Sequence, residues 1–67
     1  MATGTVKFFN TRKGFGFIAP SDGSKDVFGN ISAVERAGMR SLVEGQKVSY
    51  DIVTEQGKQA AANLQAA

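Results

Sequence analysis

Residues 13–30 read KGFGFIAPSDGSKDVFGN. Three phenylalanines, Phe15, Phe17 and Phe28, stand there among lysines, glycines and serines. In an extended strand successive side chains point to opposite faces. Gly14–Pro20 therefore puts Phe15 and Phe17 on one face and Gly14, Gly16 and Ile18 on the other. Pro20 ends this strand, since proline cannot donate to a ladder. SDGSKD is a loop. Asp26–Ile31 reads as the next strand, with Val27, Gly29 and Ile31 on one face and Phe28 and Asn30 on the other. Ile18 and Val27 are natural core residues, so the phenylalanines fall outside. Burying both faces would need two covering layers, which 67 residues without a substantial helix do not supply. An exposed ring cluster of this kind marks a binding site.

The flanking segments repeat the extended pattern. Thr3–Asn10, TGTVKFFN, is rich in β-branched and aromatic residues and reads as a strand. Strict alternation puts Phe8 on the same face as Val6, so a bulge or twist is needed to bring Phe8 onto the ring face. TRKG is a turn. Ser32 with Glu35 three residues on fits a capping box, and Gly38 fits a C-cap, so one helical turn is expected there. Gly45 marks another turn. Gln46–Thr54 is the fourth strand, with Val48, Tyr50 and Ile52 on one face. EQGK is a hairpin loop. Gln59–Gln65 is the fifth strand, although its alanines favour helix intrinsically. Five short strands separated by turn signals predict an all-β fold, a small five-stranded antiparallel barrel with at most one short helical turn. Residues 1–67 are read as a single domain.

Composition excludes several functions. Cysteine and histidine are both absent, which removes disulfides, zinc–thiolate sites and the usual general base at neutral pH. The six carboxylates are scattered, and the serines have no evident base. No catalytic role, metal or cofactor is expected. The GFGF glycines lack the strand–turn–helix setting of a phosphate-binding loop. No apolar run approaches the ~20 residues of a membrane span, and MATGTVKF lacks a signal peptide's apolar region. A cytoplasmic monomer is expected.

The net charge of +2 comes from the first half of the chain. Lys7, Arg12, Lys13 and Lys25 face only Asp22 and Asp26 in residues 1–33, and acids balance bases beyond. All five phenylalanines lie in that basic half. Basic and aromatic residues together suit single-stranded RNA and DNA, whose bases stack on exposed rings at about 1–3 kcal/mol each. Lys7, Lys13 and Lys25 are placed to follow a phosphate backbone. The loop of Asp22 flanks the ring face, where a carboxylate can accept from a base amino group. Lys58, in the last hairpin loop, reads as a solvated lysine within reach of phosphate.

GTVKFFN, KGFGFI, DGSKDVF and LVEGQKVSY closely resemble the bacterial cold shock proteins, with similarity over residues 3–64. The resemblance implies an OB-type barrel, binding of single-stranded RNA and DNA with modest sequence preference, and a role as RNA chaperone or transcription antiterminator. By that route Lys7, Phe8, Asn10, Lys13, Phe15, Phe17 and Phe28 match nucleic-acid-contacting positions. Five positions depart from the family pattern. Phe8 stands where tryptophan is usual. VFGNIS replaces a motif that usually reads Val-Phe-Val-His-Phe-Ser, so Asn30 offers hydrogen bonds in place of an imidazole. Ile31 offers apolar contact in place of a ring, and Met39 stands where an aromatic is common. Gly29 points inward where valine is usual, and its missing side chain predicts a void costing about 1–5 kcal/mol. Two other readings are a protein-interaction barrel with an aromatic groove, which the basic surroundings disfavour, and a destabilised relative with weakened binding.

Overall fold

A computed structural model describes residues 2–67, with the backbone alone for Glu55. Five strands form: β1 (Ala2–Asn10), β2 (Phe15–Pro20), β3 (Val27–Asn30), β4 (Lys47–Glu55) and β5 (Lys58–Ala66). They close into a barrel in the order β1-β2-β3-β5-β4. Four seams are antiparallel, as expected. The seam between β3 and β5 is parallel and carries one Cα pair among the described residues, Phe28 with Ala60.

Two register shifts set the faces. In β1 the pairing steps from Val6 opposite Ile18 to Phe8 opposite Phe17, so the extra residue lies between them. This is the bulge that Phe8 required. Val6 is buried, and Phe8 is 41% exposed. In β5 the pairing steps from Ala62 to Gln65 while β4 advances from Asp51 to Ser49. Asn63, with φ 52°, absorbs that extra residue. Ala61 and Leu64 therefore both point inward despite their odd spacing. Pairing with β4 from Glu55–Lys58 to Val48–Ala66 holds this alanine-rich segment extended against its helical preference.

The interior holds Val6, Ile18, Val27, Val34, Leu42, Val48, Tyr50, Ala61 and Leu64. Complete burial of one such aliphatic side chain contributes about 1.5–3 kcal/mol. Ile52 shares a face with Val48 and Tyr50, but it is 44% exposed. Among the described residues the pairing of β1 with β4 reaches Ala2–Tyr50, and Ile52 lies two residues beyond that pair.

The helical segment, α1 (Ile31–Arg36), is an α-helix of six residues. Its N-cap is Asn30, not Ser32: Asn30 Oδ1 accepts from the Ser32 backbone N–H at 2.9 Å and from Ser32 Oγ at 3.0 Å. The expected capping box of Ser32 and Glu35 is thus displaced, because the better-placed Asx side chain sits two residues earlier. Ile31 consequently belongs to the helix and not to β3, and its N–H donates to the Gly14 carbonyl at 2.8 Å. The C-terminal end is as read. Gly38 takes φ 81° and donates to Glu35 O at 2.9 Å, while Met39 N–H reaches Val34 O at 3.1 Å. These two bonds form a Schellman motif.

Gly29 is buried, and a Cβ built there would meet only Gly16 O at 3.8 Å and Ile18 Cδ1 at 3.9 Å. Space for a side chain does exist at this inward position.

Candidate functional site

The bulge in β1 and the register of β2 with β3 put Phe8, Phe17 and Phe28 on one rung across three strands. Phe15 follows two residues before Phe17 on the same face. The four rings pack against one another. Phe17 is central, at centroid distances of 5.6 Å from Phe8, 6.3 Å from Phe15 and 5.9 Å from Phe28. Phe15 lies nearly parallel to Phe28, at 5.9 Å and 19°. The remaining pairs are tilted or edge-on, the arrangements that ring quadrupoles favour. Phe15, Phe17 and Phe28 are half-buried by this mutual packing. What results is a stepped apolar face on the outside of the barrel.

The basic residues surround it. Lys7, at the β1 bulge, pairs with Asp26 at 3.1 Å, and both side chains remain exposed. An exposed pair of this kind holds little energy, so either partner can exchange it for another charge. Lys13 is exposed in the β1–β2 turn, and its backbone N–H donates to Asn10 Oδ1 at 3.0 Å. The Asn10 carbonyl oxygen therefore holds the turn, and its amide N–H groups are what remain for a ligand. A cleft of about 370 Å³ beside Phe17 and Phe28 is completed by Lys25, Asp26, Lys58 and Gln59. Lys58 is the first residue of β5 and not a loop residue.

The other sequence-derived candidates lie in three different settings. Asn30 is exposed at the end of β3, but its carbonyl oxygen is committed to the helix cap, leaving only its amide N–H groups. Ile31 and Met39 are half-buried and pack against the core. Ile31 turns inward because it opens α1 against Gly14, and Met39 because it follows the Schellman turn above Val34. Asp22 is exposed and lines a second cleft, with Ser24, Ile52 and Gln59, that shares Lys25 and Gln59 with the cleft beside the rings. Hydrogen bonds from the Ser24 hydroxyl and backbone N–H hold its carboxyl below the usual carboxylate range.

Asp26 and Gln59 flank the rings without any advance signal in the sequence. An isolated Asp or Gln carries no periodicity, and only barrel closure brings residue 59 beside residue 28. Among the described residues no group of three or more histidine, cysteine, aspartate or glutamate side chains is disposed to hold a metal ion. None of the described helices is long and apolar enough to cross a membrane.

Comparison with known proteins agrees with this geometry. The family model of the 'Cold-shock' DNA-binding domain matches residues 2–67. The chain is 70% identical over 69 aligned positions to cold shock protein CspA of Rhizobium meliloti, covering the whole of both chains. It is 55% identical to the cold shock-like protein CspB of Escherichia coli, over 92% of this chain and 87% of the relative. Identity to the cold shock-like protein CspE of Escherichia coli is 51%, over 91% and 88%.

Proposed function

The chain belongs to the cold-shock domain family, whose proteins are nucleic-acid binders and not enzymes, and from that premise we propose that it binds single-stranded RNA and DNA by stacking bases on Phe8, Phe15, Phe17 and Phe28. The observation that carries this reading is the rung of three rings across β1, β2 and β3, with Phe15 beside it. Side chains of this size on an outer face cost solvation unless a ligand covers them. Every base has a π-face, so stacking tolerates sequence. A duplex hides those faces, so single strands are preferred.

Lys7, Lys13 and Lys58 then neutralise phosphates, and the amide N–H groups of Asn10 and Asn30 donate to base acceptors. Lys7 exchanges Asp26 for phosphate on binding. The biological role is that of an RNA chaperone or transcription antiterminator in the cytoplasm, acting as a monomer. It holds RNA open by giving its bases a protein surface in place of their own partners, and it needs no nucleotide hydrolysis.

The test is a fluorescence-anisotropy titration of a labelled pyrimidine-rich single strand, with the matching duplex as control, at low salt. Saturable binding to the single strand alone is expected. Its logarithmic salt slope should be about −0.7 per phosphate neutralised. Equal affinity for duplex, or no binding by folded protein, would overturn the reading.

A further inference from the structure

The barrel mouth holds a second cleft, larger than the one beside the rings, at about 500 Å³. That volume is within the ~300–1,000 Å³ typical of small-molecule clefts. Its apolar wall is Ile52, one of the few large hydrophobics the protein leaves open to water. Its polar groups are Asp22, Ser24, Lys25 and Gln59. Lys25 and Gln59 also line the cleft beside Phe17 and Phe28, so the two clefts are neighbours that share these side chains.

Asp22 is fixed in orientation. Its Oδ1 accepts from both the Ser24 backbone N–H, at 2.9 Å, and Ser24 Oγ, at 2.5 Å. Oδ2 has no partner among the described residues. The carboxylate therefore presents one held, unused acceptor, and the bonds that hold it also keep it ionised at neutral pH. A fixed anion repels phosphate and repels any base carbonyl brought against it. It attracts an exocyclic amino group. The Gln59 amide lines the same cleft and can donate. An acceptor and a donor facing one base edge complement the amino group and ring nitrogen of cytosine or adenine. In that register uracil and thymine place a carbonyl oxygen where the amino group stands and an N–H where the ring acceptor stands, as does guanine at its O6 and N1 positions.

We infer that the cleft between the β2–β3 loop and Ile52 is a base-selective subsite, in which Asp22 Oδ2 accepts a hydrogen bond from the exocyclic amino group of cytosine or adenine while Ile52 covers the base face. The inference rests on the single-strand reading above. It adds a position of preference to a ring face that has none.

The experiment is an anisotropy scan with heptamers of thymidine in which one dC replaces dT at each position in turn. One position is expected to tighten binding by at least about fivefold. In Asp22→Asn, which keeps the oxygen that Ser24 bonds, the ratio of dC to dT affinity at that position should fall to about one. A second measurement leaves the protein untouched: N4,N4-dimethyl-dC at the responsive position, with no amino proton to give, should lose the preference in the wild-type protein. A scan flat across all positions, with tight binding of the thymidine heptamer, overturns the subsite and leaves the ring reading standing. A preference that survives dimethylation or Asp22→Asn overturns the role of Asp22. Failure of the thymidine heptamer itself to bind overturns the ring reading and this inference with it.

Discussion

The two faces of the β2–β3 pair are opposites. Outside, Phe15, Phe17 and Phe28 crowd together more apolar surface than solvent favours. Inside, the opposed residues Gly16 and Gly29 carry no side chain at all. These two glycines share a rung and yet differ. A Cβ on Gly16 would overlap the Phe8 carbonyl oxygen and lie 2.7 Å from Phe9 Cα. A Cβ on Gly29 meets nothing closer than 3.8 Å. At Gly16 the β1 backbone crosses so close that only hydrogen fits. At Gly29 the space is spare. The outer face thus carries the proposed binding, the inner face holds stability, and only one of the inner glycines is structurally required.

That division can be broken in four ways. The largest effect is expected outside. Phe15→Ala with Phe17→Ala should weaken single-strand binding by about 2–6 kcal/mol, two bases' worth of stacking, while circular dichroism still shows a folded barrel. An unfolded double variant would place these rings in the core and erase the distinction. Next, Gly16→Ala should destabilise by ~3 kcal/mol, because the clash is with backbone that cannot step aside. A denaturation midpoint near that of the wild type would sink the close-packing argument. Gly29→Ala has the opposite sign. It should stabilise by ~1 kcal/mol and raise the melting temperature by about 4–8 °C, leaving affinity unchanged. Destabilisation there would mean that the space is not available.

The smallest effect concerns Tyr50, fully buried on the inner face, whose hydroxyl has no hydrogen-bond partner among the described residues. Burial, then the charge of Asp22, raises its phenol above the usual value of about 10. The folded chain thus holds the neutral phenol that the unfolded chain gives up sooner. This contribution is complete at neutral pH and disappears as pH rises through the folded value, above about 10. Tyr50→Phe should change stability by less than ~1 kcal/mol at pH 7 and remove that alkaline loss. Urea midpoints at pH 7 and above pH 10 read both. An equal alkaline loss in the two proteins would rule out Tyr50 as its source.

Most of the fold was legible because alternation is a local signal. The phenylalanine face followed from Ile18 and Val27 claiming the interior, and the bulge at Lys7 from Val6 and Phe8 needing opposite faces. The errors arose where tertiary contacts decide between local options. Ser32 and Glu35 satisfied a capping pattern, but Asn30 reached the same backbone first, and that choice drew Ile31 off the strand. Ile52 keeps its face but lies beyond the last described β1–β4 pair, Ala2–Tyr50, and is exposed there. Within the site, the rings could be read from strand spacing and Lys13 from its place in the basic turn beside them. Asp26 and Gln59 could not, because their place beside the rings is created by the fold and not by their neighbours in sequence.

The parallel seam between β3 and β5 carries a last consequence. A closed ring normally leaves no free backbone for another chain to pair with, and so resists aggregation. Here, among the described residues, the ring closes through one Cα pair, Phe28 with Ala60, which makes this seam its least paired point. Such a seam would template strand addition if it were long. It is kept short by the cap: β3 has four residues, and Asn30 turns the chain into α1 before a fifth can extend it. The Asn30 side chain therefore ends the edge of β3 at the same point where it starts the helix.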